Sequence, residues 1–190
     1  KSTNYQKKYN ESLSKRLSIS LYPSQLKILS HSYKNRDDDM EMKLSSGCPK
    51  RISGKGKHGY VQNSHFTYED MESENINDYE YSYSGDAVLT VEGKKTDCYR
   101  VMKKKIKGDP SVYGKTEVYI RKSDLFTVRI DLWDSNNNPH KTIRMLKIVV
   151  FNTGQSTYTI AAKTGVSFID NPETPDIDEG KNQYTIMEMK

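Results

Sequence analysis

Gly54-Lys55-Gly56-Lys57-His58-Gly59 has the G-x-G-x-x-G spacing of a dinucleotide-binding turn. Such a turn works only between a strand and a helix, where helix N-terminal amides meet the pyrophosphate. Tyr60-Val61-Gln62-Asn63-Ser64 follows with no helical pattern, and no Lys-Ser/Thr follows Gly59 as a phosphate loop requires. The segment reads as a flexible basic turn. His31, His58, His65 and His140 form neither H-x-H nor H-E-x-x-H, so no metal centre is expected. A lipid hydrolase built on His31 or His65 lacks a G-x-S-x-G nucleophile elbow. Glu69 and Asp70 could do acid–base work, but Thr67-Tyr68-Glu69-Asp70 has capping-box spacing, and helix capping explains the pair. No enzyme chemistry and no cofactor is expected.

Binding chemistry is better represented. Lys103, Lys104, Lys105 and Lys107 form a tight basic cluster, read as a solvated strand end, with anionic headgroups as the other partner it could meet. Tyr79, Tyr81 and Tyr83 stand at strand spacing. Such rings could stack on single-stranded nucleic acid, but cross-strand packing or a cavity rim is the preferred reading. The net charge of +5, from 30 Lys+Arg against 25 Asp+Glu, is too evenly mixed for a dedicated nucleic-acid binder. Cys48 and Cys98 belong to no CxxC pair; one disulfide and two unpaired thiols are both open.

The elements that position these residues follow from the hydrophobic pattern. The 190 residues fit one domain over residues 1–190. Only 34% are hydrophobic and 29% charged, and no stretch approaches the ~18 apolar residues of a spanning helix. Eleven Gly and six Pro exclude collagen-like and Gly/Pro-rich classes. Period-two alternation dominates: Leu17, Ile19, Leu21; Met40, Met42, Leu44; Ala87, Leu89, Val91; Tyr99, Val101; Val118, Ile120; Val128, Ile130, Leu132; Ile143, Met145. Alternation of this kind marks strands with one dry and one wet face. Turn signals at Pro23-Ser24, residues 35–39, Glu92-Gly93-Lys94, Gly108-Asp109-Pro110 and residues 134–139 separate about nine or ten strands, joined as antiparallel hairpins. The first dozen residues are polar, either a frayed start or part of a strand, and residues 171–183 read as an acidic loop before a last strand at residues 184–189. Too little helix is expected to cover so many strands, so closure or strong curling must. The fold class is mainly β (α+β), a barrel or unclosed antiparallel half-barrel with short helices. Its apolar interior is either packed or holds a ligand.

Three segments together resemble one family. Pro49-Lys50-Arg51-Ile52, then His65-Phe66-Thr67-Tyr68-Glu69-Asp70-Met71, resembles the "R-I … F-S-Y-E-D-L" signature of outer-membrane lipoprotein-sorting (LolA-like) proteins. Gly93-Lys94-Lys95-Thr96-Asp97-Cys98-Tyr99-Arg100-Val101 is similar to that family's "G-x-x-C-Y-x-V/L" strand. Val118-Tyr119-Ile120, then Phe126 to Trp133, then Lys141-Thr142 resembles its later strand–strand–turn–Lys arrangement. The resemblance covers about Leu17 to Lys190. It implies an unclosed antiparallel barrel around short helices, with an apolar cavity, in proteins that carry lipoprotein acyl chains through the bacterial envelope without chemistry. The helix and first strand that open such proteins are not found upstream of Leu17.

The function expected is non-enzymatic binding or transport of lipid or lipoprotein acyl chains in the periplasm or cell envelope. A lipid anchor before Lys1 stays open. The alternative is an envelope sensor that recognises lipoproteins and signals to a membrane-bound protein partner. The expected cavity set is Ile19, Leu21, Met40, Met42, Leu89, Val91, Val118, Ile120, Val128, Ile130, Leu132 and Met145. Methionine suits such a set because its side chain adapts to irregular apolar ligands. Tyr68 and Met71 are the lid candidates. No nucleic acid partner is expected, and an exposed strand edge would offer a route to a dimer.

Overall fold

The computed structural model describes residues 2–10, 12–20, 25–34, 38–62, 64–72, 74–108, 110–154, 156–169 and 184–188. Leu21, the Pro23-Ser24 turn and the loop over residues 171–183 lie outside them. Twelve strands are described, rather than nine or ten, in two open antiparallel sheets of five and seven strands. Neither sheet closes on itself. The expected class holds: mainly β, antiparallel, unclosed, with short helices. No described helix is long and apolar enough to cross a membrane.

The chain divides into two compact units. The first holds the sheet β1 (Ser2–Asn10), β2 (Leu13–Ser20), β3 (Leu26–Tyr33), β4 (Asp39–Leu44) and β5 (Lys50–Ile52), in that order. β1 falls within the polar first dozen residues. A strand therefore does lie upstream of Leu17, hidden because Ser2–Asn10 is polar on both faces and carries no apolar alternation. The core of this unit is Leu26, Ile28, Met40, Ile52 and Tyr68, with Met42, Val61 and Met71 packed against it.

The G-x-G-x-x-G segment is not a flexible basic turn. It forms a 3-10 helix, Gly54–His58, with Lys57 buried and its Nζ 2.6 Å from Glu72 Oε1. A second 3-10 helix, Glu69–Met71, follows the expected capping box. Thr67 N–H donates to Asp70 Oδ2 at 2.7 Å and Asp70 N–H returns to Thr67 Oγ1 at 3.3 Å, so two backbone donors are satisfied reciprocally. Glu69 accepts from the Ser111 hydroxyl.

The second unit holds β6 (Tyr79–Val91), β7 (Lys94–Lys105), β8 (Lys115–Arg121), β9 (Thr127–Trp133), β10 (Pro139–Asn152), β11 (Thr157–Phe168) and β12 (Tyr184–Glu188), each hydrogen-bonded to the next. The β6–β7 turn uses Glu92 at φ 50° and Gly93 at φ 76°, the two positive dihedrals of a tight hairpin. The β9–β10 turn is held by Asp134, whose carboxylate accepts the N–H groups of Asn136 at 2.8 Å and Asn138 at 2.9 Å. Lys103, expected at a solvated strand end, is buried, with Nζ 4.4 Å from the Tyr79 ring centre. Cys48 and Cys98 are both free thiols, the first exposed and the second buried.

Candidate functional site

Strand register in the second unit lines up one aliphatic side chain from each of five successive strands. Val101 pairs with Val118, Val118 with Ile130, Ile130 with Ile143, and Ile143 with Val166. Directly paired residues share a face, so the five form one row, about 19 Å across at ordinary strand spacing. Two residues further along each strand, Lys103, Thr116, Leu132, Lys141 and Phe168 make a parallel row on the same face. On the other side of the aliphatic row stand Tyr99 and Ile120, also paired.

This face is graded from closed to open. In the lysine row, Lys103, Thr116, Leu132 and Lys141 are buried, Lys141 completely. Lys141 Nζ donates to the His65 carbonyl at 3.2 Å and lies 4.9 Å from the Tyr113 ring centre. His65 N–H donates to Thr185 Oγ1 at 3.0 Å, and its ring meets Phe168 edge-on at 4.6 Å. His65 thus caps that end. In the aliphatic row only Val166 is fully buried; Val101, Val118, Ile130 and Ile143 keep partial exposure. Tyr99 beyond them is exposed.

Behind these rows the opposite face carries a closed polar ladder. Glu117 pairs with Asp131, Asp131 with Thr142, and Thr142 with Ser167, all four buried. Arg129 Nε and Thr142 Oγ1 both donate to Asp131 Oδ1 at 2.7 Å, and Tyr119 OH donates to Glu117 Oε2 at 3.1 Å. Burial, then the Asp131 and Glu117 charges, push the Tyr119 phenol far above its usual range, so it stays a protonated donor. Every buried charge here has a partner, which makes its burial tolerable.

The structure brings part of the expected cavity set together. Val118 and Ile130 are neighbours in the aliphatic row, with Ile120 and Leu132 on the same face. Leu89, Val91 and Val128 lie elsewhere, in a packed cluster with Cys98 and Tyr119. Tyr119 follows Val118 in the strand and so points to the other face. Met145 pairs with Thr164, whose hydroxyl lies 3.8 Å from its sulfur.

In the first unit, Met40 and Met42 sit in the core, together with both lid candidates; Tyr68 OH donates to Met42 Sδ at 3.0 Å. Ile19 pairs with Lys27 whereas Met42 pairs with Ile28, so Ile19 and the methionines occupy opposite faces of their sheet. An open groove of about 400 Å³ in this unit is lined mostly by polar residues, among them Gln6, Lys8, Ser32, Lys34 and Glu74.

Residues absent from the expected set are Val101, Ile143 and Val166 in the row, and Lys141 with His65 and Phe168 at its capped end. Alternation through residues 99–101 and 143–145 marked the first two as strand residues. Only the register shows that they meet Val118 and Ile130.

Solved structures share this fold, among them the following three. A domain from Vibrio parahaemolyticus described as an outer membrane lipoprotein-sorting protein domain aligns with TM-score 0.77 and 19% identity, over 98% of this chain and 74% of that one. A DUF1329 family protein from Desulfovibrio piger aligns with TM-score 0.74 and 23% identity, over 87% and 69%. The LolA superfamily protein NE2245 from Nitrosomonas europaea aligns with TM-score 0.53 and 10% identity, over 88% and 76%. At these identities the likeness is one of fold. No curated protein matches the chain. A family model described as "Uncharacterized protein" matches residues 14–189, and the chain belongs to that family.

Proposed function

We propose that this chain binds acyl chains of lipids or lipoproteins, without chemistry, on the aliphatic face of β7–β11, and that it does so in the bacterial envelope. One observation carries the reading: the aliphatic row is more open than the polar ladder behind it. Folding normally closes the apolar side and leaves charges to water. Here Glu117, Asp131, Thr142 and Ser167 are buried, while Val101, Val118, Ile130 and Ile143 are left partly exposed. An acyl chain laid along the row would gain about 0.8 kcal/mol per methylene removed from water, enough to hold lipid without directional contacts. The fold shared with a lipoprotein-sorting domain supports the cargo class and the envelope location.

Native mass spectrometry of the purified protein, with organic extraction of what co-purifies, tests the reading. A phospholipid or fatty acyl species near stoichiometry is the expected result. Ile130→Glu should then abolish uptake of a fluorescent fatty acid while sparing the thermal midpoint. An empty protein that takes up no fatty acid, or an Ile130→Glu variant that binds as before, overturns it.

A further inference from the structure

The aliphatic row has two unlike ends. At the β11 end Val166 is fully buried and pairs with Thr185 of β12. The Thr185 hydroxyl oxygen is held by His65, 3.0 Å from its backbone nitrogen and 2.8 Å from its ring Nδ1. His65 also meets Phe168 edge-on, so the row stops against a hydrogen-bonded wall. At the other end Val101 is followed by β6, the last strand of this sheet among the described residues.

β6 presents tyrosines to the same face. The Tyr79 ring centre lies 4.4 Å from Lys103 Nζ, and the Tyr83 ring meets Tyr99 edge-on at 6.4 Å. Lys103 and Tyr99 stand two residues either side of Val101 on the aliphatic face. Alternation therefore sets Tyr81, midway between Tyr79 and Tyr83, beside Val101. Tyr81 and Tyr83 are 42% and 65% exposed. Tyr83 OH donates to Asp86 Oδ1 at 2.7 Å, and Asp86 Oδ2 lies 2.6 Å from Lys122 Nζ. That ammonium stands 5.0 Å from the Tyr99 ring centre. The face is thus closed along the strands at the lysine row and closed across them at Thr185. It opens at the corner where these polar groups gather. Tyrosine suits such a boundary, because its ring packs on apolar neighbours while its hydroxyl stays in water.

We infer that an acyl ligand lies on this row in one direction: its methyl end against Val166, its polar end at the β6 corner among Tyr81, Tyr83, Asp86 and Lys122. The inference rests on the acyl-chain reading and adds a polarity to it. A methyl terminus loses nothing at a closed apolar end, whereas a carboxylate or ester-linked headgroup brought there would be stripped of water. At the corner the headgroup keeps its water beside the Lys122 ammonium. The ligand class is therefore a lipid with a large polar headgroup as well as a free fatty acid, since the headgroup never enters the row.

Paramagnetic NMR on the methyl-labelled chain tests the direction, with stearate carrying a doxyl spin label near its carboxyl end or near its methyl end. The label near the methyl end should broaden Val166 most, and the label near the carboxyl end should broaden Val101 most. The reverse order, or equal broadening of both residues by both probes, overturns the inference and leaves acyl binding standing. Broadening of neither residue by either probe sinks the acyl-chain reading and the inference with it. Tyr81→Ser with Tyr83→Ser, at two exposed positions, should weaken lysophosphatidylcholine binding about fivefold while the methyl-end label still broadens Val166. Unchanged affinity for lysophosphatidylcholine in that variant overturns the placement of the headgroup; if the variant does not fold, the spin-label pattern of the wild-type chain decides alone.

Discussion

Thr142 donates its hydroxyl proton to Asp131 Oδ1 at 2.7 Å, on the face of the sheet opposite the Ile130–Ile143 pair. The same oxygen takes Arg129 Nε at 2.7 Å, and the side chains of Arg129 and Asp131 are only 13% and 6% exposed. Removing the carboxylate leaves a largely buried guanidinium without its partner. Asp131→Ala should therefore destabilise the chain by about 3–5 kcal/mol, whereas Thr142→Val should cost about 1 kcal/mol. Urea unfolding measures both. Equal, small losses would mean that the polar ladder is not what holds this sheet.

How much of this was legible in the sequence depends on what each residue type signals by itself. The strands around Ile120, Ile130 and Ile143 announced themselves by period two, and the capping box by Thr67 and Asp70 three residues apart. Parity between strands did not. Whether Leu89 joins Val118 or Tyr119 is fixed by hydrogen-bond register, and a one-residue slip reverses every side chain. Asp131, Glu117 and Lys141 read as wet residues because isolated charges are costly to bury. Their partners, Arg129, Tyr119 and the His65 carbonyl, are named only by the fold. Within unit one the same holds for Lys57, whose partner Glu72 is fifteen residues away across two 3-10 helices.

The Lys57–Glu72 pair gives a pH signature. Burial raises the Glu72 pKa above the 4.5 usual for a glutamate, against the pull of Lys57 in the other direction. A raised folded pKa means that the native state holds the proton more tightly than the unfolded chain. Stability from this group is present below about pH 4.5 and is lost as pH rises through the raised value. Asp86, Asp124 and Asp134 behave oppositely. Lys122, Arg121 and the Asn138 amides respectively hold their pKa values below 3.8, so their contribution is lost as pH falls below that. The windows do not overlap. Glu72→Gln should flatten the slope above pH 4.5 and leave the acid limb unchanged, as chemical denaturation across pH would show.

The two thiols should differ in reactivity. Burial first, then the nearby Asp97 carboxylate, push the Cys98 thiol up, while Cys48 is exposed. A buried, protonated thiol is a poor nucleophile. Ellman's reagent should label Cys48 in the native chain and Cys98 only on unfolding. Rapid native labelling of both would mean that the Cys98–Tyr119–Val128 cluster opens readily.

Gly114 sits where β8 leaves the loop after Ser111, its N–H donating to the Trp133 carbonyl at 3.1 Å. A Cβ there would lie 2.6 Å from the Asp134 carbonyl oxygen and 3.2 Å from the Ser135 Cα, both backbone atoms that no rotamer change can move. Asp134 in turn holds the β9–β10 turn through Asn136 and Asn138, so the clash would be passed to the hairpin that delivers Lys141 and Ile143 to the aliphatic face. Gly114→Ala should cost on the order of 1–3 kcal/mol and weaken fatty-acid uptake at temperatures well below its own midpoint. Gly93→Ala, at φ 76° in the distant β6–β7 turn, should cost about 1–2 kcal/mol through backbone strain alone. If both variants lose stability but only Gly114→Ala loses uptake, the β9–β10 hairpin positions the binding face. Equal uptake in the two, at matched stability, would remove that hairpin from the site.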